Sequence, residues 1–175
     1  SSAASDVYKR QENRRKTGDK ARKRLMYAII LLTQLKNGSR VGEAITFIKH
    51  VCLSFKREIY IKVEKRKDYN RLMILPSEVT ENDINKIKDL VLHNFETYGL
   101  RGFVKRVSAW AHKVLGINTH SLRYSFITFM SVGQKIQPQV LAKITGHKNL
   151  EFLIDYVQQK EAERILKRHV KWRGL

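Results

Sequence analysis

Residues 119–158, THSLRYSFITFMSVGQKIQPQVLAKITGHKNLEFLIDYVQ, decide the fold of this chain and hold most of its candidate chemistry. Glycine or proline divides the apolar positions of this stretch into three predicted core helices, which span 121–132, 139–145 and 149–157. Four polar side chains interrupt the apolar pattern: His120, Arg123, His147 and Tyr156. Arginine and imidazole stabilise phosphoryl charge, and a phenol can act as a covalent nucleophile. The set therefore suits the binding and attack of a phosphodiester.

Taken singly, each of these residues also has an ordinary structural explanation. His120 and Arg123 are three residues apart at a predicted helix start, so both can reach a phosphate at the helix N-terminus. Equally, His120 could cap the helix while Arg123 pairs with a surface carboxylate. His147 follows a glycine, as turn residues do, and Tyr156 falls in an apolar helix, as core residues do. The joint pattern favours the chemical interpretation.

Composition limits the kind of partner. The chain has 175 residues, 42% of them hydrophobic, which is typical of one globular domain with a core. Its net charge of +19 predicts a polyanionic partner, either nucleic acid or an anionic membrane surface. No apolar run approaches the roughly 18 residues that span a bilayer. The single Cys52 excludes an internal disulfide framework, so we expect a reducing, cytoplasmic location.

The first two dozen residues differ in kind from the rest. Residues 1–11, SSAASDVYKRQ, match the in-frame translation of a transposase-type sequencing-library adaptor, and we expect them to lie outside the natural protein. Residues 12–24 are basic and poor in apolar side chains, which predicts a linker or arm, either a soluble tail or a segment that tracks DNA. The catalytic region would then cover 25–175.

Between this arm and the opening stretch, the pattern predicts mostly helices. Helical spacing predicts helices over 21–36, 41–49, 102–115 and 159–172, and a further one that starts at Ser77 or Thr80 and ends at Gly99. Residues 59–65 and 72–76 read as a β-hairpin whose turn carries basic side chains. The predicted fold class is mainly α with a small antiparallel β-sheet.

The motifs together resemble the tyrosine recombinase (phage integrase) family. HSLR, ITGHKNL and Tyr156, nine residues after the histidine, resemble the second signature box of that family, and NGSRVGEA resembles the first. The hairpin is similar to the lysine-bearing β-turn of the family. One departure is Thr145, which stands where leucine is common before Gly-His. The resemblance implies the catalytic-domain fold of the family.

For the site, the resemblance implies a role for each matched residue. Tyr156 would attack the scissile DNA phosphate and form a 3′-phosphotyrosyl link, while Arg40 and Arg123 would grip the non-bridging oxygens. His120 would assist proton transfer, and His147 would donate to a phosphate oxygen.

The resemblance assigns two further residues, each with an alternative. Lys67 in the hairpin turn is the expected general acid, with Lys65 as the alternative, because the register of the turn is not fixed by the sequence. Glu43 would orient Arg40 or its loop; otherwise it is a surface glutamate of the helix.

The resemblance also implies partners. Double-stranded DNA would be the substrate, in a tetrameric synapse of self-associated subunits, with a helical core-binding domain N-terminal to this segment. No metal and no cofactor is expected, and the chain would come from a prokaryotic or viral mobile element. The alternatives are a type IB topoisomerase, which nicks and closes DNA, and a DNA-binding module without catalysis.

Overall fold

The computed structural model describes residues 2–66 and 68–171, with side chains for residue 16 and from residue 18 onward within those ranges. Its helices and strands follow in the order α1 (Ser2–Asn37), α2 (Val41–Ser54), β1 (Glu58–Lys62), β2 (Asn70–Ile74), α3 (Glu81–Trp110), α4 (Thr119–Thr128), α5 (Pro138–Thr145) and α6 (Leu150–Lys171). Single π-helical turns, Ala111–Leu115 and Phe129–Gly133, extend α3 and α4. The predicted fold class, mainly α with a small antiparallel sheet, is confirmed.

Helix α1 starts much earlier than the predicted 21–36. Its backbone is helical from Ser2, so the basic segment 12–24 is part of a helix. Lysine, arginine and glutamate are good helix formers, and the lack of apolar residues that suggested a linker does not oppose helix formation. Arg22 in this segment donates to Lys86 O at 2.8 Å and forms an ion pair with Asp89, both on α3. The segment is therefore docked from Arg22 onward.

The main core lies between α1, α2, α3 and the sheet. Its fully buried side chains include Met26, Ile30, Phe47, Ile84 and Phe103. Burial of one such side chain contributes about 1.5–3 kcal/mol of transfer free energy. A second, smaller cluster, which we call the small core, is formed by α4, α5 and α6. The three predicted helices of residues 119–158 are thus a satellite that packs against the larger core.

Strands β1 and β2 form an antiparallel pair, with Ile61 opposite Arg71 and Ile59 opposite Met73. Strand β1 ends at Lys62 and strand β2 begins at Asn70, so the connection between them is longer than the predicted turn. Val63 N donates to Tyr69 O at 3.0 Å and closes the base of this connection. Alternation along β2 turns Met73 and Arg71 toward the protein interior.

The predicted break at Gly99 is confirmed. Helix α3 contains one residue with non-helical torsions, Gly99, at φ 61° and ψ 177°. The start of the helix resolves the two predicted caps in favour of Thr80, whose hydroxyl accepts from Asp83 N at 3.2 Å. Asp83 reaches back to Thr80 N at 3.0 Å, which completes a capping box.

Helix α6 corrects one prediction. The sequence predicted a separate last helix over 159–172, whereas α6 runs without a break from Leu150 to Lys171. No proline or glycine interrupts it, and Glu161 with Arg164 and Lys160 with Glu163 form ion pairs along its surface. The apolar stripe predicted for its second half is exposed at Ile165, Leu166 and Val170.

None of the helices among the described residues has the length and apolar character that a transmembrane span requires.

Candidate active site

The turn between α1 and α2 places Arg40. Gly38 has φ +58° and reverses the chain after α1, which leaves Arg40 as the N-terminal cap of α2. Arg40 Nη1 lies 3.1 Å from Glu43 Oε1, and Arg40 N donates to Glu43 Oε2 at 3.3 Å. The Arg40 side chain keeps 19% of its surface exposed. It can therefore meet a ligand at the N-terminus of a helix, where an anion is favoured.

Glu43 is the buried carboxylate at the centre of the site. Besides Arg40, it accepts from Arg71 Nη1 at 3.4 Å and from the backbone N–H of Glu64 at 3.3 Å. A buried charge needs opposite charge and hydrogen bonds to offset its desolvation. The structure thus places Glu43 as a link between the α2 turn and the hairpin, with no surface exposure of its side chain.

Two buried arginines join the main core to the small core. Arg123 Nη1 donates to Gly38 O at 2.8 Å and to Thr145 O at 3.1 Å. Arg71 Nη1 lies 3.4 Å from the same two carbonyl oxygens, and Arg71 also donates to Asn37 O. Burial lowers the pKa of both guanidiniums, that of Arg123 to about 10, with nearby Arg40 adding to the effect.

Arg123 also makes a contact outside this carbonyl network. Arg123 Nη2 lies 3.3 Å from both ring nitrogens of His147. His147 in turn follows Gly146, which ends α5 in the left-handed conformation and directs the chain back toward the site. The structure therefore brings Arg123 and His147 into contact, although they are 24 residues apart.

His147 is held as a neutral imidazole. Burial lowers its pKa to about 3, and the charges of Arg123 and Arg40 add to that effect. The Thr145 hydroxyl lies 2.6 Å from His147 Nδ1 and is itself fully buried. The fixed cations around this neutral imidazole suit an anionic ligand.

His120 lies near these groups but is more open to solvent. Asn118, not His120, caps α4, because its side chain accepts from His120 N at 2.9 Å. The His120 ring is thereby free of the capping role and packs edge-on against Tyr124, with ring centroids 5.0 Å apart. Partial burial lowers the pKa of His120, followed by the charges of Arg123, Arg40 and Lys65.

The two hairpin lysines differ in what the structure says of them. Lys65 lies in the β1–β2 connection, close enough to His120 to depress its pKa. Lys67, the expected general acid, lies outside the described residues.

Tyr156 does not join the arginine cluster. Its hydroxyl lies 2.9 Å from Thr128 Oγ1 and 3.5 Å from Tyr124 O. Its ring stacks at a tilt on Tyr124, with centroids 5.0 Å apart, and it packs against the small core. Tyr124 thus lies between the rings of His120 and Tyr156. In this conformation the hydroxyl of the candidate nucleophile is directed at Thr128, and the Tyr124 ring lies between it and His120.

The described residues offer no metal centre, because no three His, Cys, Asp or Glu side chains among them converge on one point. The site instead combines the cations Arg40, Arg71 and Arg123 with one buried carboxylate, Glu43, and this excess of positive charge suits an anion.

Comparison with known proteins assigns the chain to a family. It is 37% identical over 164 residues to the uncharacterized protein MJ0770 of Methanocaldococcus jannaschii, covering 83% of this chain and 73% of that protein. It is also 30% identical over 166 residues to the Putative integrase V10 of the Sputnik virophage, covering 84% and 73% of the two chains. This chain belongs to the same family as the Putative integrase V10.

A second viral member of comparable similarity is the Putative integrase ORF241 of Acidianus two-tailed virus. It is 37% identical over 146 residues, which cover 81% of this chain and 55% of the viral protein. No family model and no solved structure matches the chain. The V10 family assignment therefore rests on these partial-length sequence similarities.

Three residues of this V10 family member escaped the sequence analysis. Arg71 could have been found from the alternation of β2, which places it on the same face as buried Met73. Thr145 was noted only as a departure from a motif, and its hydroxyl contact with a ring nitrogen has no sequence signal. Thr128 lies five residues after Arg123 on α4, and only the packing of α6 reveals its contact with Tyr156.

Proposed function

We propose that this chain is the catalytic region of a DNA integrase of the tyrosine recombinase class. The observation that carries the proposal is the contact of Arg123 with His147 beside the Arg40–Glu43 cap. These residues come from separate signature boxes, and their convergence gives a cationic cluster that suits one phosphate. The names of two viral relatives agree with a role in DNA integration.

In the proposed reaction, the Tyr156 oxygen forms a bond to the scissile phosphorus as the bond from phosphorus to the 5′-oxygen breaks. The tyrosine proton passes to His120, and the leaving 5′-oxygen takes a proton from Lys67 or Lys65. Arg40 and Arg123 stabilise the charge on the non-bridging oxygens. The phosphotyrosine keeps the energy of the broken bond, so the reverse attack by a 5′-hydroxyl rejoins the strand.

The resting position of Tyr156 requires a movement before attack. Its hydroxyl must leave Thr128 and approach the phosphate that Arg123 and His147 bind. Since α6 carries Tyr156 and packs on the small core, a shift of α6 on DNA is the simplest route. Binding energy from the rest of the duplex would drive this shift.

DNA binding itself should rest largely on phosphate contacts. The net charge of +19 predicts an affinity that falls steeply as salt concentration rises. The same proposal implies that several copies of the protein assemble on DNA as a synapse. It also implies that the protein is found together with its DNA substrate.

Covalent capture tests the proposal. The chain is incubated with a pool of nicked duplexes of randomised sequence, and protein–DNA adducts are separated on a denaturing gel. We expect an adduct that Tyr156→Phe abolishes. Tyr124→Phe is the matched control, because Tyr124 lies against Tyr156 and loses the same atom; its adduct should persist. An adduct that persists in Tyr156→Phe would overturn the assignment.

The product distinguishes an integrase from a topoisomerase. Joining of two separate duplexes supports the integrase, whereas relaxation of supercoiled DNA without joining supports a nicking-closing enzyme.

The general acid can be identified with a modified substrate. A duplex with sulfur in place of the bridging 5′-oxygen has a leaving group that departs without a proton. Loss of cleavage in Lys67→Ala that this substrate restores would assign the acid to Lys67. Restoration in Lys65→Ala alone would assign it to Lys65.

A further inference from the structure

Thr145 makes two hydroxyl contacts in a fully buried position. Its Oγ1 lies 2.9 Å from Leu141 O, one turn back on α5, and 2.6 Å from His147 Nδ1. A hydroxyl has one proton to donate but can accept two hydrogen bonds. Because a carbonyl oxygen can only accept, the position of this proton determines the state of the histidine ring.

Only one arrangement of protons satisfies both contacts. If Thr145 donates to Leu141 O, its lone pair accepts a proton carried by His147 Nδ1. If it donated to His147 instead, two oxygen lone pairs would face each other at 2.9 Å. The first arrangement leaves no buried group unsatisfied, and an unsatisfied buried acceptor costs about 1–3 kcal/mol.

Arg123 makes a second contact with the same ring. Its Nη2 lies 3.3 Å from both nitrogens of His147, and a guanidinium can only donate. Because Nη2 is equidistant from the two nitrogens, this contact does not select one of them, and it is compatible with a proton on Nδ1. The two contacts of the Thr145 hydroxyl therefore select the neutral form of the ring, and the Arg123 contact is compatible with that form.

We propose that Thr145 is a positioning residue that holds His147 as the neutral Nδ1–H tautomer, so that His147 must take up a proton when a phosphate binds. Nε2 in this tautomer carries a lone pair and repels a phosphate oxygen. A proton taken from solvent by Nε2 turns it into a donor to that oxygen. The part of the proposal that concerns DNA rests on the proposed function, while the tautomer belongs to the free protein.

The charges around His147 explain why the proton arrives only with the ligand. Four groups lie near enough to the ring to lower the pKa of His147 by their charge: Arg123 and His120 from α4, Arg40 at the cap of α2, and Arg71 from β2. Burial first, and then these charges, hold the pKa of His147 near 3, so the free imidazole is neutral at pH 7. A bound phosphate brings negative charge beside the ring and favours the imidazolium.

Nitrogen NMR of the free protein tests the tautomer. The ring nitrogens of His147 are assigned by comparison with His147→Gln. We expect a proton on Nδ1 in the wild type and in Thr145→Ser, which keeps the hydroxyl, and a population with the proton on Nε2 in Thr145→Val. Thr33→Val is the matched control, because Thr33 is fully buried and its hydroxyl has no partner. A proton on Nε2 in the wild type, or no change in Thr145→Val, would refute the proposal.

The pH dependence of duplex affinity tests whether phosphate binding is coupled to proton uptake by His147. In a Tyr156→Phe background, which prevents cleavage, affinity should fall by up to about tenfold per pH unit as pH rises, because one proton is taken up per site. Thr145→Val should show a shallower slope, and Thr145→Ser should restore it. Equal slopes for Tyr156→Phe alone and for its combinations with Thr145→Val and Thr145→Ser would refute the coupling of binding to proton uptake. Failure of the proposed function is distinguishable, because it removes the covalent adduct and leaves the NMR result intact.

Discussion

Arg71 Nη1 lies 3.4 Å from Glu43 Oε2, and neither side chain exposes more than 1% of its surface. This buried ion pair fastens β2 to the turn that presents Arg40, and through shared carbonyl oxygens it also supports Arg123. The candidate phosphate pocket therefore rests on a charged scaffold inside the protein, not on surface residues.

Loss of Glu43 should be costly. Glu43→Ala leaves Arg71 charged, buried and without its carboxylate, and we expect the free energy of unfolding to fall by about 3–5 kcal/mol in chemical denaturation. Glu78→Ala is the control, because Glu78 pairs with Lys36 at 3.0 Å on an exposed surface; it should change stability little. Similar effects of the two substitutions would contradict the role of the buried pair.

The contact of Thr128 with Tyr156 should restrain the nucleophile. Thr128→Val removes a hydrogen bond worth about 1 kcal/mol, so stability should fall slightly while adduct formation accelerates by up to about fivefold. Rates of adduct formation on nicked duplexes provide the measurement. Ser125 lines the same groove on α4, and Ser125→Ala should leave the rate of adduct formation unchanged. Slower adduct formation in Thr128→Val would instead indicate that Thr128 takes part in the reaction.

Stability should depend on pH through His147. Its pKa is near 3 in the folded protein, below the ordinary value of 6.5, so the unfolded chain binds more protons between these values. The stability that neutral His147 contributes is complete above pH 6.5 and is lost as pH falls toward 3. Denaturant titrations at pH 7 and about pH 5 should therefore show a smaller loss in His147→Gln than in the wild type. An equal loss would mean that His147 is not held neutral.

Close packing at Gly146 can be separated from its backbone conformation. Gly146 has φ +71°, and a methyl group there would lie 2.6 Å from Val63 Cγ2; Gly116 has φ +66° and open space around it. Gly116→Ala should cost about 1–2 kcal/mol from the left-handed backbone alone. Gly146→Ala should cost about 1–3 kcal/mol more, because the hairpin must move. Thermal unfolding of the two variants gives the comparison, and equal losses would show that Val63 yields freely.

Much of the fold was accessible from local pattern. The hairpin, the break at Gly99 and the helices of residues 119–158 follow from periodicity and from glycine and proline, which act over a few residues. Helix ends were less accurate, because good helix formers carry α1 beyond its apolar face and no proline or glycine stops α6. The separate last helix was wrong for this reason.

The sequence by itself determined the residue types of the candidate site and their order along the chain, because arginine, histidine and tyrosine carry their chemistry wherever they are placed. Tertiary structure alone decided which of them meet. Arg123 contacts His147, Arg71 joins the site from the hairpin, and Tyr156 lies against Thr128. These contacts join residues up to 28 positions apart, and they depend on how α4, α5, α6 and the hairpin pack, which no local pattern encodes.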